Sequence, residues 1–140
     1  MRWIFYFAIL LSVTGCGNAT NAEIPDSELH AKARTLALPA RYDLYVEVLR
    51  SQIPSRPILA GDIAALGEPA WKYVLSRALG GDYLEISEAL PALSAFSRRC
   101  SLEELEQLRA HVGHASSGDM ARSLTALVET TCGSELPAHD

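Results

Sequence analysis

The chain has 140 residues, 49% of them hydrophobic, with 17 acidic side chains against 12 basic ones and a formal net charge of −5. That length is one domain's worth and is enough for a real core, while two domains would be crowded. An acidic balance without a basic stripe excludes nucleic acid as a partner, because binding a phosphate backbone relies on Lys and Arg displacing its counterions.

The first element is Arg2 followed by the apolar run Trp3–Val13 and then small residues up to Cys16. This is the layout of a secretory signal. A spanning helix needs about 20 apolar residues, so a run of eleven is too short to stay in a bilayer. Val13-Thr14-Gly15-Cys16 resembles the lipobox of bacterial lipoproteins: an aliphatic residue, two small ones and an obligatory cysteine. The resemblance implies cleavage after Gly15, leaving Cys16 as a new N-terminus that carries a diacylglycerol and usually an amide-linked acyl chain. Two or three chains on one residue hold a protein on a membrane effectively permanently, at ~0.8 kcal/mol per buried methylene. In proteins of this pattern an Asp after the cysteine signals retention in the inner membrane, so Gly17 implies the outer membrane. Loss of residues 1–15 leaves 11 basic against 17 acidic residues, a net −6, so the acyl chains must do the anchoring without electrostatic help.

Residues 16–25 have little to bury and read as a tether of at most ~30 Å. The domain that follows, 26–132, reads as all-α, a small stack of about six to seven helices in antiparallel αα-hairpins. Asp26-Ser27 is an expected cap for a helix over Glu28–Leu38. Pro39 opens a second over Ala40–Gln52 with the stripe Tyr42, Tyr45, Val46 and Leu49. Pro54 and Pro57 break the chain, and a short helix Ile58–Leu66 ends at Gly67. Ala70–Leu79 follows Pro69 and faces inward with Trp71, Val74, Leu75, Ala78 and Leu79. Gly80-Gly81-Asp82 is a stop followed at once by an N-cap, which predicts a hairpin with Tyr83–Ser97. Pro91 should kink that helix, and Arg98 and Arg99 suit its negative end. Ser101 and Glu104 have capping-box spacing for a helix over 101–112 whose apolar positions are Leu102, Leu105, Leu108 and Val112. A break from Gly113 to Gly118 precedes a last helix with Met120, Leu124, Leu127 and Val128, and 133–140 reads as a frayed tail.

Within this pattern, Gly67, Pro69-Ala70, Val74-Leu75, Leu79, Asp82, Ala89-Leu90 and Leu93 resemble one HEAT-type helical repeat spanning residues 66–97. What the resemblance implies is stacked αα-hairpins, and the usual Arg after the turn Asp is missing.

Assigning Cys16 to lipid leaves Cys100 and Cys132 as a pair in an oxidising compartment. Antiparallel helices about a turn near Ala115-Ser116 place both at the same end, so a disulfide is expected. The alternative is two free thiols used for metal or redox chemistry, for which a Cys-x-x-Cys spacing is lacking.

Candidate sites are few. His111 and His114, with Asp119 nearby, are the nearest approach to a metal constellation, although zinc needs three or four ligands and no third is spaced to match. Imidazoles at a helix C-terminus also suit the dipole. Glu103, Glu104 and Glu106 can be read as a general-acid cluster or, more simply, as first-turn acids on a solvated face. Trp71 belongs to the core stripe, whereas Lys72, Tyr73 and Tyr83 are candidate interface residues, Tyr being a common interface anchor. No nucleophile elbow or cofactor motif is present. The expectation is therefore a lipid-anchored envelope protein whose non-catalytic helical domain binds another envelope protein. Two alternatives stay open: an inhibitor or immunity lipoprotein that neutralises a basic toxin or hydrolase, and an enzyme or metal carrier using His111 and His114.

Overall fold

A computed structural model describes residues 24–133. Cys16, its signal segment, most of the expected tether and nearly all of the tail lie outside the described residues. Seven helices and no strand make up the described part: α1 (Asp26–Thr35), α2 (Leu38–Ser51), α3 (Ala60–Ala64), α4 (Glu68–Gly80), α5 (Tyr83–Ser94), α6 (Leu102–Ala115) and α7 (Gly118–Cys132).

The organising element is α5, which packs against α3, α4, α6 and α7. Its sequence is apolar on most of its circumference, and Ile86, Ala89, Leu90, Ala92 and Leu93 are all buried. A helix that is hydrophobic nearly all round can satisfy itself only in the middle of a bundle. Two hairpins form around it. The α4–α5 turn is tight because Gly81 has no side chain: a Cβ there would lie 2.4 Å from Cβ of Glu85 and 2.8 Å from the Arg77 carbonyl oxygen. Asp82 then caps α5, accepting from the amides of Leu84 at 2.9 Å and Glu85 at 3.1 Å, which satisfies donors the first turn cannot. The α6–α7 hairpin is closed at its base by a Cys100–Cys132 disulfide with Cα atoms 4.9 Å apart. Ser101 and Glu104 form the expected capping box at the start of α6. Gly67 enters α4 at φ 71°, a backbone region open to glycine at little cost.

Several local expectations need correction. Asp26 and Ser27 lie inside the first turn of α1, whose N-cap is Pro25, and neither side chain caps it. The buried side of α2 comprises Arg41, Tyr42, Leu44, Tyr45, Val48 and Leu49, with Val46 only half-buried. It is wider than a single stripe because α2 meets α1, α3 and the Glu88 region of α5 at once. Gly113 does not end α6, which continues to Ala115. One glycine costs a helix only about 1 kcal/mol, less than the packing of this hairpin supplies. Leu102 and Met120 sit at the outer first turns of α6 and α7, 69% and 47% exposed, and do not join the core. α5 stops at Ser94, three residues before the expected Ser97.

Candidate functional site

The sequence places Tyr42 on the inner stripe of α2 and Tyr73 one turn before Arg77 on α4. Folding packs these rings against each other beside a cleft of about 550 Å³ between α2, α4 and α5, whose lining includes Tyr42 and Arg77. Tyr73 packs edge-on against Tyr42 with ring centroids 5.6 Å apart, and the Arg77 guanidinium lies 5.9 Å from the Tyr42 ring centroid. Burial pushes the Tyr42 hydroxyl well above its ordinary value, with the charge of Arg77 opposing, so it remains a neutral phenol. At the back of the cleft Glu88 is buried, and Arg50 clamps its carboxylate with two nitrogens, Nη2 to Oε2 at 3.0 Å. The Tyr45 hydroxyl donates to the Glu88 carbonyl at 2.8 Å and fixes that turn of α5. Asp43, Glu47, Arg77 and Glu85 complete a rim of mixed sign. Such a cleft offers an aromatic floor and paired charges, suited to a polypeptide segment with side chains of both signs.

Of the three candidate interface residues, Tyr73 is half-buried against Tyr42, so it supports that ring from behind the cleft lining and is not a free-standing anchor. Lys72 is exposed on the neighbouring face of α4. Tyr83 is partly buried against the core at the first turn of α5.

A second cluster lies where α1 meets α3. Asp62 is buried and accepts hydrogen bonds from Nδ1 of His30 and from Nε of Arg34 at 3.1 Å. Burial raises the Asp62 carboxyl, but these two donors outweigh it and hold the group below the ordinary carboxylate range. Beneath it Arg41 donates to the carbonyls of Arg34, Leu36 and Asp62. An Asp–His pair of this kind orients an imidazole as a base in hydrolases. Here, however, the shallow depression over it is lined by His30, Arg34, Arg41, Gly61, Asp62 and Ala65, with no hydroxyl or thiol to activate. The cluster works as a tie between helices.

The histidines of α6 are engaged differently from one another. His111 hydrogen-bonds the Gly81 carbonyl at 2.7 Å, joining α6 to the central hairpin turn, while His114 is exposed in the last turn. Among the described residues no group of three or more His, Cys, Asp or Glu stands close enough together to hold a metal ion. Glu103 and Glu106 are solvated. Glu104 is not: it accepts from the Trp71 indole at 3.0 Å, from the Ser101 amide at 2.7 Å and from Arg98 through both oxygens.

Sequence reasoning passed over Arg41, Arg50 and Glu88. The detectable signal was a charge at a position of apolar periodicity, Arg41 beside Tyr42 and Tyr45 on α2, and Glu88 between Ile86 and Ala89 on α5. Arg41 reaches Asp62 across 21 residues as well as the nearby carbonyls of Arg34 and Leu36, and Arg50 and Glu88 lie 38 residues apart, with no local mark of the long-range pairings. Compared with known proteins, the chain matches no family model, no curated protein and no solved structure.

Proposed function

We propose that this chain is a lipid-anchored protein of the bacterial cell envelope, on the outer membrane, whose helical domain binds another envelope protein without catalysis. The observation that carries the reading is the cysteine arithmetic. Of three cysteines, Cys100 and Cys132 are bonded to each other, so Cys16, which follows an apolar run in Val13-Thr14-Gly15-Cys16, has no other cysteine of its own chain to pair with. No described helix is long and apolar enough to cross a membrane. The Tyr42–Arg77 cleft, with Tyr73 packed against Tyr42, is the surface best suited to a partner.

Labelled palmitate fed to cells expressing the full chain tests the anchor. Label should enter the protein and be lost in Cys16→Ser, and undiminished label in that variant would overturn the anchor. A photo-crosslinking residue at Arg77, which lines the cleft, tests the partner in the intact envelope. It should yield a protein adduct that the same residue at Met120, on the last hairpin, does not.

A further inference from the structure

Ile53 is 98% exposed and Ile24 is 50% exposed. Single exposed apolar residues need no explanation, but these two border one groove of about 620 Å³ whose floor is Leu29, Leu44 and Val48, with Pro54 beside Ile53. The groove lies where the chain upstream enters the domain, since Ile24 is on its rim and stands two residues before the start of α1 at Asp26. Eight links separate Ile24 from Cys16, a reach of at most ~28 Å fully extended and about 16 Å as a flexible coil. A domain of this size is itself about 34 Å across, so the far side of the bundle cannot meet a bilayer as readily as the face bearing Ile24. The charges around the groove cancel: Arg56 is paired with Asp26 at 3.1 Å, and Lys32 shares the groove with Glu47. An exposed apolar rim with locally balanced charge fits the interfacial layer of a lipid bilayer and gains little from anionic headgroups.

We propose that the groove edged by Ile24 and Ile53 is a membrane-seating surface, which rests the domain on the bilayer and turns the Tyr42–Arg77 cleft toward its partner in a restricted set of orientations. This rests on the lipid-anchor reading. Ile53 and Ile24 insert at the depth of the headgroup boundary, and the contact is apolar in character.

The test supplies the anchor chemically, so that it stands apart from whether cells lipidate the protein. The chain from Cys16 to Asp140 is coupled through the Cys16 thiol to a maleimide lipid in phosphatidylcholine vesicles containing brominated acyl chains, Cys100 and Cys132 being protected as a disulfide. Ile53→Trp and Met120→Trp each place a reporter at an exposed site, and the unsubstituted chain from Cys16, which lacks Trp3 and keeps only the buried Trp71, gives the background. Quenching should be several-fold greater for Ile53→Trp than for Met120→Trp, unchanged by salt or by added phosphatidylglycerol. Adding Ile24→Ser should lower the ratio of seated to unseated domain about tenfold, the value of one inserted aliphatic side chain. Equal quenching at the two sites, or none at either, overturns the proposal. So does a concentration-dependent dimer in lipid-free solution that blue-shifts the Ile53→Trp reporter, which would assign the groove to a second copy. Circular dichroism checks that the variants fold, and loss of palmitate label in cells bears only on the anchor.

Discussion

The indole nitrogen of Trp71 donates to Oε1 of Glu104 at 3.0 Å, joining the first helix of the central hairpin to the start of α6. Trp71 is 1% exposed, and its other neighbours are the Phe96 ring, edge-on at 5.4 Å, and the Arg98 guanidinium, 4.3 Å from its centroid. Arg98 in turn forks to Glu104 and to Glu68. One carboxylate thus satisfies a buried indole, a helix N-terminus and a guanidinium. Glu104→Ala should lower the unfolding free energy by about 2–4 kcal/mol, since it removes a cap and leaves the buried donor unpaired. Glu104→Gln, which keeps an acceptor but not the charge, should fall between. Urea unfolding followed by the emission of Trp71 in the chain lacking residues 1–15 measures both. A Glu104→Ala midpoint equal to the parent's would remove Glu104 from any structural role.

Arg41 does comparable work at the other end of the bundle. Its Nη2 donates to the carbonyls of Arg34 and Leu36, groups that the end of α1 leaves without helical partners, and its Nη1 donates to the Asp62 carbonyl at 3.0 Å. A lysine has the charge but not the planar fork. Arg41→Lys should therefore destabilise by about 2–3 kcal/mol, with hydrogen exchange rising first in 26–35. Equal protection of α1 in variant and parent would contradict this account.

Stability should fall in acid through two particular carboxylates. In Glu104, as in Asp62, burial acts to raise the carboxyl, but the donors around it prevail and lower it: the Ser101 amide, Trp71 and Arg98. In the unfolded chain both return to ordinary values of ~4, so across the interval below that the unfolded state binds more protons and stability rises with pH. The contribution is complete above about pH 5 and is lost as pH falls through the lower, folded-state values. The urea midpoint should be flat from neutrality to about pH 5 and drop below ~4, with a shallower drop in Asp62→Asn and Glu104→Gln. If both variants follow the parent's acid limb, other groups set it.

The Cys100–Cys132 bond closes a loop with a sequence separation of 32. Chain entropy alone assigns such a closure about 3–4 kcal/mol, a large share of what a domain of this size possesses. Reduction, or Cys100→Ser with Cys132→Ser, should lower Tm markedly, with protection lost first in the hairpin from 102 to 132. Calorimetry with and without reductant reads the difference. An unchanged Tm would mean that helix packing by Leu105, Leu108, Leu124 and Val128 holds the hairpin unaided.

The elements themselves were legible along the chain because their signals act over a few residues. Pro39 and Pro69 open α2 and α4, Gly80-Gly81-Asp82 makes the hairpin, and the Ser101–Glu104 box starts α6, each within one turn of the group it serves. The Cys100–Cys132 pair was legible by counting, once the lipobox resemblance had claimed Cys16. What the sequence by itself could not decide was the meeting of residues from different helices. Glu104 reads locally as one more first-turn acid, yet its identity as the acceptor for Trp71 depends on α4 and α6 lying side by side, 33 residues apart in the chain. The same holds for Arg50 with Glu88 and for His30 with Asp62, charges that only burial makes consequential. Caps, breaks and apolar periodicity are properties of a segment, whereas the partner of a buried charge is a property of the packing, and only the tertiary structure specifies it.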